Sequence, residues 1–269
     1  MAKVKTSPME LSTAPFSKDF LKDEVFAYPQ FEELRQLVLR CINERSMAFI
    51  GGEAGVGKTT GVRACVSLLP TNRYQVVYVG QDQEGVNLSR RLSTVLGIPP
   101  QRSRAHTWLL ISQYLCDNQA EQGKEVVLVI DEAHLLDKST LEDIRLLTNA
   151  DFDRTSPATV ILIGQLSLRS RLKVTGFEAL NQRLRFKYAL EGLTEEETGG
   201  YIKHRLEVAE LDPGLFSTDA IKCIFLASQG IPREINNLCT TAIMKAQALN
   251  AEEINAKLIR QVIDQNEVL

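Results

Sequence analysis

The chain has 269 residues, 44% of them hydrophobic and 24% charged, enough to bury a core of its own and unlike a disordered, collagen-like or linker-dominated chain. No stretch approaches the roughly eighteen consecutive apolar residues of a membrane span, and the opening MAKVKTSPMELSTAPF lacks the apolar heart of a signal peptide, so the expectation is a cytoplasmic protein with no membrane partner. Five cysteines, odd in number and without a CxxC pair, argue against a disulfide framework or a zinc site, and a net charge of −3 restricts any nucleic-acid binding to a local patch.

Residues 1–24 are polar and read as an N-terminal arm. PQFEELRQLVLRCI is helical in period, with Phe31, Leu34, Leu37, Val38 and Cys41 on one face. MAFIGG is a short apolar run ending in glycines, the mark of a buried strand. A loop and helix, GEAGVGKTTGVRACVSLL, come next, then a strand, QVVYVG. The helix NLSRRLSTVLGI stops at Gly97 and Pro99-Pro100, and Ser103 is placed to cap the next helix, AHTWLLISQYLCDNQAEQG. EVVLVID is a strand apolar on both faces, STLEDIRLLTNA a helix, and ATVILIGQ a fourth strand. Apolar strands alternating with helices indicate a parallel sheet covered on both sides. After about residue 190 only amphipathic helices remain: TEEETGGYIKHRLEVAE, DAIKCIFLAS, PREINNLCTTAIMKAQALN and NAKLIRQVIDQN. The expected organisation is therefore an arm (1–24), an α/β domain (25–190) and a small helical domain (191–269).

Gly52-Glu53-Ala54-Gly55-Val56-Gly57-Lys58-Thr59 fits GxxxxGK[ST] and lies between a predicted strand and a predicted helix, the context a phosphate loop requires. Its glycines let backbone N–H groups, with those of Lys58, Thr59 and Thr60 at the helix start, turn toward phosphate oxygens. Lys58 is expected at the β- and γ-phosphates and the Thr59 hydroxyl on Mg²⁺. Asp131 sits at the carboxyl end of a buried strand, where a carboxylate needs a cation or donor, and it is expected to join Thr59 at the metal, directly or through water. Glu132 follows as the candidate general base that polarises the attacking water. Gln165 ends the fourth strand and is either a γ-phosphate contact or an ordinary strand-end glutamine. His134 completes the string DEAH, but no other helicase motif accompanies it, so a structural role is expected.

The order of phosphate loop, DE strand, polar strand end, arginine-bearing helix and helical lid resembles the AAA+ ATPases over residues 25–269. GIPREIN resembles the sensor-2 motif, which would bring Arg233 to the γ-phosphate; LNQRLRFKYALEGLTEEE resembles the arginine-finger segment, with Arg183 the better finger and Arg185 the second, or a solvated partner of Glu191. A finger acts from a neighbouring subunit, so the resemblance implies a homo-oligomer, a ring or a helical filament. IGGEAGVGKTT, VIDEAHLL, ILIGQLSLRSRL and QRLRF…LEGLT look most like the ExeA-type family, which includes secretion ATPases and the target-selection ATPases of DNA transposons (TnsC, MuB and IstB types). Secretion members carry a membrane helix and a cell-wall-binding region after the ATPase; neither follows here, which favours the transposition branch.

That branch implies an ATP-dependent, sequence-nonspecific binder of double-stranded DNA that recruits or activates a transposase and is released on hydrolysis. The alternative is a secretion-associated ATPase acting on protein. The resemblance places DNA near Gln81-Asp82-Gln83-Glu84-Gly85 and Gln101-Arg102-Ser103-Arg104. Gln83 is the polar contact in the first loop, where Asp82 and Glu84 would repel phosphate. Arg102, Ser103 and Arg104 suit phosphate better, and residues 86–107, with Arg90 and Arg91, hold no acid; the alternative is a solvated interhelical turn.

Overall fold

The computed structural model describes residues 15–17, 25–80, 87–99, 101–121, 123–148 and 156–267. They fall into two compact units. One holds the described residues of Pro29–Ala54 and Lys58–Leu190; the other holds those up to Tyr28, the segment Gly55–Gly57 and those from Glu191 onward.

The larger unit is built from α1 (Pro29–Asn43), β1 (Met47–Gly52), α2 (Lys58–Ser67), β2 (Tyr74–Val79), α3 (Leu88–Val95), α4 (Arg104–Glu121), β3 (Glu125–Ile130), α5 (Lys138–Leu147), β4 (Ala158–Gly164), α6 (Leu166–Arg171), α7 (Glu178–Arg183) and β5 (Leu184–Leu190). A single 3₁₀ turn, Ala133–Leu135, follows β3. The strands form one parallel sheet in the order β2-β3-β4-β1-β5. Strand alternation divides the core. Met47, Phe49, Val126, Leu128, Val160 and Leu162 face a layer that includes Leu92, Trp108, Ile111, Leu141 and Ile144. Ile50, Val127, Val129, Ile161 and Ile163 face Leu34, Val38, Val62 and Cys65 of α1 and α2. Central strands buried on both sides need apolar residues at nearly every position, as β3 and β4 have apart from Glu125 and Thr159.

β5 is a strand the sequence reading missed; the same residues were taken as the arginine-finger segment. Leu184, Phe186, Tyr188 and Leu190 alternate with Arg185 and Lys187, the pattern of an edge strand with one wet face. The Tyr188 hydroxyl reaches Glu33 at 2.9 Å, and the Arg40 guanidinium lies 6.0 Å from the Phe186 ring centroid, so α1 covers the apolar side of this edge.

The second unit contains α8 (Glu195–Val208), α9 (Thr218–Ser228), α10 (Pro232–Ala248) and α11 (Ala256–Glu267). Its core includes Ile202, Leu206, Ile224, Ile235, Ala242 and Val262. A capping box fixes the start of α8: Glu197 N–H donates to Thr194 Oγ1 at 3.2 Å, and Thr194 N–H donates to Glu197 Oε2 at 2.8 Å. Such a cap contributes about 1 kcal/mol. Phe16 packs edge-on against Phe216 at 6.4 Å, and Arg205 Nη2 donates to the Ser17 carbonyl at 3.1 Å.

Candidate active site

The carboxyl ends of β1, β3 and β4 lie side by side, with Gly51 in register with Gly164 and Ile130 with Leu162. This end of an open parallel sheet is where ligands bind. β1 delivers the phosphate-loop sequence. Gly55 and Gly57 hold φ of 83° and 100°, a region favouring glycine, and α2 opens at Lys58 with no acid in its first turn to offset the helix dipole. Lys58 Nζ donates to the carbonyls of Gly52 at 3.0 Å and Glu53 at 2.6 Å, so its ammonium is curled over its own loop. Thr59 and Thr60 occupy the first turn, both half-buried.

Asp131 follows β3 and is buried, a costly position for a carboxylate without donors. Its Oδ2 accepts from Thr59 Oγ1 at 2.7 Å and from the Tyr78 hydroxyl at 2.9 Å, and its Oδ1 accepts from Glu132 N–H at 2.8 Å. Sequence reasoning anticipated Thr59 and missed Tyr78. The parallel register of β2 on β3, Val79 opposite Ile130, brings Tyr78 alongside, and register is not written in either strand alone. Burial first, then the hydrogen bond to Asp131, pushes the Tyr78 phenol above its ordinary range, so it stays a donor.

Glu132 is half-exposed and sits at φ 51°, ψ 33°, left-handed backbone that a non-glycine residue adopts at a cost of roughly 1 kcal/mol or more. The turn aims Glu132 away from the strand path. Gln165 is the exposed first residue beyond β4 and stands at the N-cap position of α6 without a side-chain capping bond. His134, with 9% of its side chain exposed, lies between them: its Nδ1 accepts from Gln165 N–H at 3.3 Å and is 3.4 Å from Glu132 Oε2. Arg171 donates to the carbonyls of His134 at 2.7 Å and Leu136 at 2.9 Å, tying the turn after the DE pair to α6.

The arginines separate. Arg183 is the last residue of α7, half-buried; burial first and then neighbouring Arg145 lower its pKa without removing its charge. Arg185 is 61% exposed and pairs with Glu44 at 3.0 Å. Arg233 belongs to the helical unit, in the first turn of α10, where its N–H donates to the Gly55 carbonyl at 3.3 Å. A Cβ on Gly55 would fall 2.8 Å from Arg233 Cβ, a second reason for glycine there.

Of the expected DNA face, Gln83 and its loop, 81–85, lie outside the described residues. Arg102 is exposed. Arg104 is engaged within the fold: Nη2 donates to Asp143 at 2.7 Å and to Thr140 Oγ1 at 3.0 Å. Ser103 Oγ accepts from His106 N–H at 3.4 Å, a long cap for its own helix.

The oxygens of Thr59 and Asp131 suit Mg²⁺, a hard cation usually held by one or two protein ligands together with substrate phosphates. Among the described residues there is no cluster of three or more His, Cys, Asp or Glu side chains of the kind that holds a metal alone. Among those residues no helix is long and apolar enough to cross a membrane.

Residues 42–172 match the protein family described as AAA domain. Over 205 residues, 76% of this chain, the sequence is 32% identical to general secretion pathway protein A of Aeromonas hydrophila, and the match spans 37% of that relative's length. Among solved structures, the chain resembles the Aeropyrum pernix ORC2 protein, determined in ADPNP-ADP complexes, with a TM-score of 0.70 at 18% identity, covering 93% of this chain and 71% of that one. It also resembles the Thermotoga maritima RuvB Holliday junction branch migration motor, with a TM-score of 0.53 at 17% identity, covering 87% and 67%. At such identities the likeness establishes the fold. The chain carries an AAA domain of the AAA+ ATPase type, an enzyme module that uses ATP with Mg²⁺.

Proposed function

We propose that the chain is the ATP-hydrolysing part of a secretion-associated assembly and acts on protein partners. The observation that carries this reading is the convergence of Lys58, the Thr59–Asp131 pair and Glu132 at one end of the sheet, in a sequence 32% identical to a secretion protein over 205 residues. The backbone of Gly52–Thr60 and Lys58 would bind the phosphates. Thr59 and Asp131 would hold Mg²⁺, which supplies neutralising charge to the β- and γ-phosphate oxygens. Glu132 would take a proton from water as the water oxygen bonds to the γ-phosphorus; the bond to the β–γ bridging oxygen breaks, releasing ADP and phosphate. Gln165 and Arg233 are assigned to the γ-phosphate, and Arg183 to the nucleotide of a neighbouring copy in a ring or filament. Use of ATP puts the module on the cytoplasmic side.

The transposition reading, with double-stranded DNA and a transposase as partners, rests on resemblance of motifs. The engagement of Arg104 by Asp143 weighs against the DNA face that reading needs. ATPase rate and particle size, measured with and without plasmid DNA at low and raised salt, separate the two. A rate indifferent to DNA is the expected result. Stimulation by DNA with ATP-dependent growth of particles, both fading as salt rises, would transfer the assignment to transposition.

A further inference from the structure

The turn after β3 contains an arrangement that the hydrolysis chemistry does not require. His134 Nδ1 lies 3.3 Å from the backbone nitrogen of Gln165 and 3.4 Å from Glu132 Oε2. The first neighbour is a donor and the second an acceptor. One ring nitrogen presents either a lone pair or a hydrogen, so it serves one of them at a time. Both neighbours belong to the proposed reaction: Glu132 as the base and Gln165 as the strand end facing the γ-phosphate.

The surroundings hold the ring in place. Its side chain is 9% exposed. Arg171 fixes the backbone on its far side through the carbonyls of His134 and Leu136. β4 closes from below at Gly164, where a Cβ would come within 3.1 Å of His134 N and 3.4 Å of Nδ1. The left-handed backbone of Glu132 adds a strained residue beside a shared hydrogen-bond partner, a combination found where a site has two arrangements.

We propose that His134 is a positioning residue for ATP hydrolysis whose Nδ1 alternates between the Glu132 carboxylate and the Gln165 N–H. When Nδ1 accepts from Gln165, Glu132 is released. When the end of β4 shifts and frees the nitrogen, the tautomer with hydrogen on Nδ1 donates to Glu132 and steadies it as the base. The device thus couples the state of the β4 end to the aim of Glu132. It rests on the reading of Glu132 as the general base.

The test uses the full chain with Mg-ATP and compares wild type with His134→Phe, His134→Asn and Gly164→Ala. Equilibrium affinity for a fluorescent ATP analogue is measured beside kcat and KM. His134→Phe keeps a ring and removes the nitrogen; kcat is expected to fall about tenfold or more, with affinity and KM held within about twofold. His134→Asn keeps a donor and an acceptor near the Nδ1 position and is expected to recover most of kcat. Gly164→Ala presses on His134 from β4 and is expected to lower kcat severalfold, which keeps the proposal testable should His134→Phe fail to fold. Wild-type kcat in His134→Phe or in Gly164→Ala would overturn the proposal, as would equal losses in the Phe and Asn variants. Absence of ATP turnover in the wild type would instead overturn the hydrolysis reading beneath it.

Discussion

The carboxyl edge of the sheet and the start of α4 both drew attention as places where polar side chains gather, and they behave in opposite ways. At the sheet edge, groups from α2, β2 and the turn after β3 meet around the Asp131 carboxylate. At α4, Arg104 turns back onto Asp143 and Thr140, and Ser103 caps its own helix. The difference lies in what each environment asks of its residues. A buried carboxylate at a strand end has no structural purpose that an apolar residue would not serve better, so its donors argue for a ligand. An arginine at a helix start has ready local partners, and satisfying them costs nothing in function.

The largest expected effect breaks the sheet-edge side of that contrast. Lys58→Ala removes a side-chain ammonium held over the phosphate loop and should weaken ATP binding about a hundredfold, read by titration with a fluorescent nucleotide. Unchanged affinity would remove the loop from the account. Arg183→Ala should leave ATP affinity within about twofold while lowering turnover by at least about tenfold and reducing assembly, read by ATPase assay and particle sizing. Full turnover would exclude Arg183 as a residue acting on a neighbour's nucleotide.

Smaller effects sharpen the contrast. Tyr78→Phe deletes one of three hydrogen bonds on the Asp131 carboxylate, worth about 1 kcal/mol, and should raise the Mg²⁺ concentration needed for nucleotide binding about fivefold. An unmoved Mg²⁺ titration would reduce Tyr78 to packing. Arg104→Ala breaks a partly exposed pair and should cost under about 1 kcal/mol in thermal unfolding, with no change in DNA retention at low salt. A clear loss of DNA binding would restore the α4 segment as an interface.

Most of the sheet edge was legible because its elements carry strong local signals. β3 and β4 are apolar at nearly every position, the glycines of the phosphate loop bracket a lysine at fixed spacing, and the acid pair follows a strand directly. The short helices α6 and α7 span six residues each, too few turns to show a period, so α6 goes unread and α7 enters only as the arginine-bearing helix of the family resemblance. β5 was overlooked because its outward positions are Arg185 and Lys187, which a motif comparison reads as function before strand. Tyr78 and the partners of His134 depend on which strands are neighbours and in what register, and no single segment encodes that. Arg104 shows the converse limit: Asp143 lies on α5, 39 residues away, and only the packing of α4 and α5 puts the two together.

The proposed hydrolysis depends most on Glu132, whose left-handed turn sets its carboxylate apart from the buried Asp131. Glu132→Gln keeps the shape and removes the base. The measurement is ATP affinity and single-turnover hydrolysis of this variant beside wild type, both with Mg²⁺. The account predicts affinity within about twofold and hydrolysis slowed by at least about a hundredfold, leaving ATP bound in an assembled state. Hydrolysis at the wild-type rate would contradict it and send the search for the base elsewhere along the sheet edge.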